Sequence, residues 1–267
     1  MRVHNVRHVF SGINLRRLFR VWVKSLFPII VLLAISGCST PEAPASNHPC
    51  NEKGNTIPIA ERTAGYSLSG QPINYTIMGA GSRTILFLAT IHGDESAGTT
   101  LLEKLTQHYP ECDRKPDVQL IIVPVANPDG KQNHSRFNLA GVDLNRNFPA
   151  DNWHHRRHTG NAPLDQPESR AIFDLLDKYK PSLVISIHQP LGCIDYDGPA
   201  ENIAAGISPI FGLPVRKLGG KPGSLGSYAG NTLGIPVITL ELPREADHLS
   251  SEQLWKSYGN GLLTVLQ

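Results

Sequence analysis

His92 and Glu95 stand three residues apart in His92-Gly93-Asp94-Glu95. At that spacing, across a turn, an imidazole nitrogen and a carboxylate can face one cation. Zinc held by two His and one Glu, with the fourth position open to water, is a hydrolytic centre. The spacing alone decides little, because His108 and Glu111 repeat it. Context separates the two. Ile85 to Ile91 is a continuous apolar run that reads as a strand buried on both faces. His92 and Glu95 are therefore expected at the carboxyl end of a central strand, where open α/β sheets place ligand crevices. His108 and Glu111 straddle Pro110, where a helix should be ending, and read as surface.

A second polar cluster is Gly141-Val142-Asp143-Leu144-Asn145-Arg146-Asn147-Phe148-Pro149. It is too polar for core and too patterned for a generic loop. Asn145 offers an amide, and Arg146 a planar fork of donors that can grip a carboxylate bidentately. Arg136 supplies a further positive charge nearby. Asp195 either binds an amino group or is a turn aspartate.

The elements that must position these groups alternate between strand and helix. After the strand ending at Ile91, the leucines from Ser96 to His108 are spaced as in a helix. Gln119 to Val125 is a second apolar run, closed by the turn signal Asn127-Pro128-Asp129-Gly130. Asp165 to Tyr179 is an amphipathic helix, and Leu183 to Ile187 a buried strand with His188 at its end, followed by a loop that carries Asp195. Ile235 to Leu240 is the last strand, and Glu241 follows it. A carboxylate there is costly unless it has a task or a partner. Tyr66 to Met78 reads as edge strands broken at Ser69-Gly70-Gln71-Pro72. The alternation implies crossover connections and an α/β fold with a mostly parallel sheet.

Taken together, His92-Gly93-Asp94-Glu95, the Asn-Pro-Asp-Gly turn and the nine-residue Asn-Arg motif resemble the zinc carboxypeptidase family from about Tyr66 onward. Within it, Ser186 to Asp195, Lys221 to Ser227 and Thr239-Leu240-Glu241-Leu242-Pro243 are similar to bacterial murein peptide amidases, which cut the γ-D-glutamyl–diaminopimelate bond. The resemblance implies a three-layer α/β/α sandwich on a mixed, mostly parallel sheet, and a single Zn²⁺ held by His92, Glu95 and His188. It makes Glu241 the general base, Arg136 the oxyanion partner, and Asn145 with Arg146 the grip on the substrate's terminal carboxylate. The partner implied is a murein peptide or another C-terminal peptide substrate. Asp195 is then the candidate for an amino group on the released residue. The substrate-covering tyrosine of the digestive enzymes has no secure counterpart, and Tyr228 receives no role. Two other readings stand beside this one: an N-acyl amino acid deacylase of a related zinc hydrolase family, and a non-catalytic peptidoglycan-binding lipoprotein. The complete Asn-Arg motif and Thr239 to Pro243 weigh against the first, and the intact Glu241 against the second.

Residues 1–37 hold six basic residues and no acidic one, then a short apolar segment leading into Ile35-Ser36-Gly37-Cys38. This pattern is a secretory signal rather than a membrane span, which needs about 20 apolar residues. An n-region this long is expected to start downstream of Met1. The ending resembles a lipobox, which implies cleavage before Cys38, lipid attachment there, and a periplasm-facing lipoprotein, on the outer more than the inner membrane. Without the signal, 19 basic residues face 23 acidic ones, a balance of −4 against +2 for the whole chain. No basic stripe remains for nucleic acid. Residues 38–58 read as a tether and 59–267 as one catalytic domain. Cys50 and Cys112 can pair in an oxidising compartment, leaving Cys193 over, but the spacing does not assign the pairing.

Overall fold

The computed structural model describes residues 57–111 and 117–267. The expected signal, Cys38, most of the tether, and both Cys50 and Cys112 lie outside these residues. Among the described residues, seven strands form one sheet in the order β1-β2-β4-β3-β5-β7-β6. They are β1 (Ile59–Tyr66), β2 (Pro72–Met78), β3 (Arg83–Ala89), β4 (Val118–Val123), β5 (Leu183–His188), β6 (Leu191–Asp197) and β7 (Val237–Pro243). The central strands β4, β3, β5 and β7 run parallel, and antiparallel pairings close both edges. The sheet is mixed with a parallel heart, as expected.

Period-two alternation divides the core. Ile85, Phe87 and Ala89 of β3 pack on one face with α1 (Ala97–His108), α4 (Glu201–Phe211) and α5 (Ser251–Val265). Leu86 and Leu88 point the other way, toward α3 (Pro167–Tyr179) and the segment Leu144 to Ala150. Leu88 is wholly buried. Truncating it to alanine is expected to cost about 2–5 kcal/mol, since lost transfer and a residual cavity add.

Helix boundaries follow their end chemistry. α3 opens on Pro167, whose missing N–H costs nothing in the first turn, and stops at Lys180 in a left-handed conformation (φ 42°). α5 begins with a reciprocal Ser250–Gln253 capping box. The Asn-Pro-Asp-Gly signal is more than a turn. Asn127 caps a short helix, α2 (Pro128–Gln132), by accepting the Gly130 N–H at 2.9 Å. The segment that carries Asp195 is not a loop but edge strand β6, because its alternating residues pair with β7.

The chain leaves β3 for β4 on one side, while β5 pairs with β3 on the other. A crevice is expected where neighbouring strands diverge in this way, at their carboxyl ends.

Candidate active site

The turn after β3 is tightly held. Thr90 sits at φ 52°, a strained value for a β-branched residue. Its carbonyl accepts Asn127 N–H at 3.0 Å, and its hydroxyl lies 2.6 Å from that of Thr99. Gly93 is required by close approach: a Cβ there would lie 1.9 Å from the Gly130 carbonyl carbon. These constraints turn His92 and Glu95 into the crevice. Both are buried, and Nδ1 of His92 lies 2.7 Å from Glu95 Oε1. The other His-x-x-Glu pair behaves as surface: Glu111 is exposed, and His108 stacks on Trp255.

His188 ends β5, two strands of the parallel centre bringing it beside His92. Its Nδ1 is 2.8 Å from Glu95 Oε2 and 3.2 Å from His92 Nδ1. The ligand atoms of His92, Glu95 and His188 thus all lie within 4.8 Å of one another. Two imidazole nitrogens and a carboxylate converging in a buried space need a positive charge among them. The donor set suits Zn²⁺, which takes imidazole nitrogen and carboxylate oxygen in a three-residue site.

The β5–β7 register sets Glu241 directly beside His188. Glu241 lies within β7 rather than after it. Its Oε2 is buried with no hydrogen-bond partner among the described residues. Burial pushes its pKa up, with the Glu95 charge adding and His188 opposing. An orphaned carboxylate oxygen next to such a cluster marks a group held ready for a proton or a ligand.

Asp143 completes the cluster from behind. Its Oδ1 lies 3.1 Å from His92 Nε2 and accepts the Asn145 N–H at 3.0 Å. Its Oδ2 accepts from Arg136 Nε at 3.0 Å. For His92, burial alone would lower the pKa, but Asp143 and Glu95 outweigh it and raise the value. For Asp143 the balance runs the other way: burial would raise its pKa, yet His92, Arg136 and Arg146 hold it well below the carboxylate range. Nothing local in the Asn-Arg motif marks Asp143 for this role, because its partner is 51 residues away.

Arg136 also reaches Glu95 Oε1 at 3.4 Å. The pKa of Arg146 is lowered by burial and by Arg136, with Asp143 opposing. Two guanidinium groups that repel one another at a cavity wall favour an incoming anion. Asn145 is fixed through Oδ1, which accepts the Leu225 N–H at 2.8 Å. The Asn145 side-chain N–H₂ donates to no described residue.

The three convergent residues, Glu241, Arg136, Asn145 and Arg146 share a cavity of about 260 Å³ with Asp195 and Asp197, and Asp143 stands behind it. Asp195 Oδ1 accepts the Leu218 N–H at 2.8 Å. Ser224 lines the cavity, whereas Ser227 directs its hydroxyl to the Lys221 carbonyl. Tyr228 is core, stacked between Phe148 and Phe173. A larger groove of about 760 Å³ flanks the same turn on the side of Asp94 and Lys131, and none of the convergent ligands opens into it.

The fold and site define a metallopeptidase of the zinc carboxypeptidase family, whose family model matches residues 59–194; the chain belongs to that family. It is 34% identical to murein peptide amidase A of Escherichia coli K12 over 225 aligned residues, covering 74% of this chain and 90% of the relative. The crystal structure of murein-tripeptide amidase MpaA from Escherichia coli O157 superposes with a TM-score of 0.64 at 30% identity, covering 77% of this chain and 91% of that one. Carboxypeptidase A from Helicoverpa armigera shares the fold at 18% identity, with a TM-score of 0.65 over 79% of this chain and 69% of that one.

Proposed function

We propose that the protein is a zinc-dependent murein peptide amidase that hydrolyses the γ-D-glutamyl–diaminopimelate bond and releases a C-terminal diaminopimelate. The observation that carries this reading is the composition of one cavity. The convergent His92, Glu95 and His188, the orphaned Glu241, Arg146 with Asn145, and the buried carboxylates Asp195 and Asp197 all line it. The likeness to murein peptide amidase A supports the choice of substrate.

His92 Nδ1, His188 Nδ1 and the Glu95 carboxylate would hold the zinc. Bound there, zinc supplies Lewis acidity that polarises a carbonyl and draws the pKa of water toward neutrality. Glu241 accepts the proton of the attacking water on Oε2 and delivers it to the leaving nitrogen. Arg136 turns a guanidinium toward the oxyanion that develops. Asn145 and Arg146 hold the free α-carboxylate, so that only a terminal residue is presented for release. Asp195 lines the part of the cavity that receives the released side chain. Cys38, in this reading, carries the lipid that keeps the enzyme at the envelope, with outer-membrane attachment favoured.

The test is incubation of the zinc-loaded protein with L-Ala-γ-D-Glu-diaminopimelate, with products read by mass spectrometry. Free diaminopimelate and L-Ala-D-Glu are expected. The lysine analogue, which lacks the distal carboxylate, should be cut at least about tenfold less well, because Lys221 and Ser224 in the cavity lining would lose that partner. Equal rates on both peptides would leave carboxypeptidase chemistry and discard murein specificity.

A further inference from the structure

The register of β6 against β7 lays out a column of side chains leading away from Glu241. Cys193 stands opposite Glu241, Asp195 opposite Thr239, and Asp197 opposite Val237. Residues two apart on a strand share a face, so Asp195 and Asp197 project on the face of Glu241 at successive depths. At about 3.4 Å per residue these depths are about 7 and 14 Å from the row of Glu241.

Asp197 is the less expected of the two. It is 4% exposed and lines the cavity. Its Oδ1 faces Asn231 Nδ2 at 3.4 Å and Lys217 Nζ at 3.8 Å. Its Oδ2 accepts no hydrogen bond from any described residue. Lys217 is largely committed elsewhere, donating to the Tyr196 carbonyl and lying 4.0 Å over the Tyr196 ring. The neighbouring π-helical turn, Gly226–Thr232, is shaped around this carboxylate: a Cβ on Gly226 would lie 2.1 Å from Oδ2. Burial pushes the Asp197 pKa up, Lys217 opposes this, and the charge of Asp195 adds to it. A buried carboxylate with one oxygen free at a cavity wall is costly until a cationic donor arrives.

We propose that Asp197, with Asp195 beside it, is the specificity-determining acceptor for an ammonium group on the side chain of the released residue. This rests on the peptidase reading given above and sharpens it to one position on that side chain. No third carboxylate, imidazole or thiolate joins the pair among the described residues to make a metal site. An ammonium, with three donors, fits two carboxylates better. Length selects the position. In an extended side chain an ε-amine lies about 7–8 Å from the scissile nitrogen. With a hydrogen bond of about 2.9 Å at each end, the span from the row of Glu241 to the acceptor is about 13 Å. That is the depth of Asp197, whereas Asp195 stands at the depth of a shorter amine and holds Leu218 in the wall.

The experiment compares three substrates that differ only in the C-terminal residue of L-Ala-γ-D-Glu-X, where X is diaminopimelate, lysine or norleucine. Lysine and norleucine have the same carbon skeleton, and only lysine carries the ε-amine. With the zinc-loaded full chain, lysine should exceed norleucine at least tenfold in kcat/KM, with most of the difference in KM. Asp197→Asn should collapse that ratio toward one, and Asp195→Asn should reduce it less. The wild-type comparison needs no folded variant: equal kcat/KM for lysine and norleucine overturns the proposal. So does an Asp197→Asn protein with an unchanged ratio. If none of the three peptides is cut while zinc is bound, the murein reading fails first, and this outcome is distinct from cleavage without amine preference.

Discussion

Asp143 and Glu95 hold the two nitrogens of the His92 ring from opposite sides, Oδ1 of Asp143 at 3.1 Å from Nε2 and Oε1 of Glu95 at 2.7 Å from Nδ1. With Nε2–H donating to Asp143, the Nδ1 lone pair is directed at the convergent cluster. A carboxylate behind a ligating histidine fixes its tautomer and raises its basicity, and losing it typically costs 10–100-fold in metal affinity. Asp143→Asn should therefore weaken zinc binding by about that factor, read by competition with a chelator. His92→Ala and His188→Ala should lose metal and activity together from a protein that otherwise holds about one zinc per chain. Full zinc occupancy in either alanine variant would remove that residue from the ligand set.

Glu241→Gln separates metal binding from proton transfer. The amide keeps the shape of the side chain but cannot accept the proton from water. Zinc content and substrate KM should persist, while kcat falls by about two to four orders of magnitude. Near-normal turnover would sink the assignment of the base.

Asp129 links the β1–β2 turn to α2, and its effect on stability follows pH with a definite sign. Its carboxylate accepts from the Ser69 N–H at 3.0 Å, from the Ser69 hydroxyl, and from Gln71 Nε2 at 2.9 Å. Burial would raise its pKa, but these donors outweigh it and the net value is lowered. A depressed folded-state pKa contributes stability that is present above the unfolded value of about 3.9 and lost as pH falls through the folded value. Asp129→Asn should cost about 1–3 kcal/mol at pH 7, the scale of hydrogen bonds to a charged group. In urea melts the deficit should shrink as the pH falls below about 4. A deficit that stays constant down to the acid limit would show that the charge is not what Ser69 and Gln71 recognise.

How much was legible in the sequence depends on the range of each interaction. The apolar run of β3 and the His-Gly-Asp-Glu that ends it are local signals, and their placement at a strand's carboxyl end followed directly. His188 and Glu241 were legible as polar residues on apolar strands, but their mutual contact is a property of β5–β7 pairing. Asp143 and Asp197 escaped because their meaning lies in partners across the chain: His92 for one, the cavity and Gly226 for the other. Strand β6 is hidden from the sequence because Asp195 reads locally as a turn aspartate, and only pairing with β7 makes its segment a strand.

The anchor is tested in cells. Fatty-acid labelling should tag the wild type and spare Cys38→Ala, which should appear in the soluble envelope fraction. Equal labelling of both proteins, or of neither, would discard the lipobox reading.

Arg146 tests the requirement for a free terminus. Its guanidinium shares the cavity wall with Arg136, and burial with that neighbour already destabilises its charge. A substrate carboxylate relieves the repulsion, so the interaction should be present in the ground state as well as the transition state. Loss of such uniform binding raises KM and leaves kcat nearly unchanged. Arg146→Ala should raise KM for peptides with a free α-carboxylate by about 10–100-fold, the worth of a charge-assisted pair of roughly 1.5–3 kcal/mol. Arg146→Lys should recover only part of this, because a single ammonium cannot make the bidentate contact. The same peptide with an amidated C-terminus should bind poorly to the wild type and should not weaken further in Arg146→Ala. If the variant penalises the amidated and free peptides equally, Arg146 is supporting the wall of the cavity rather than gripping the carboxylate.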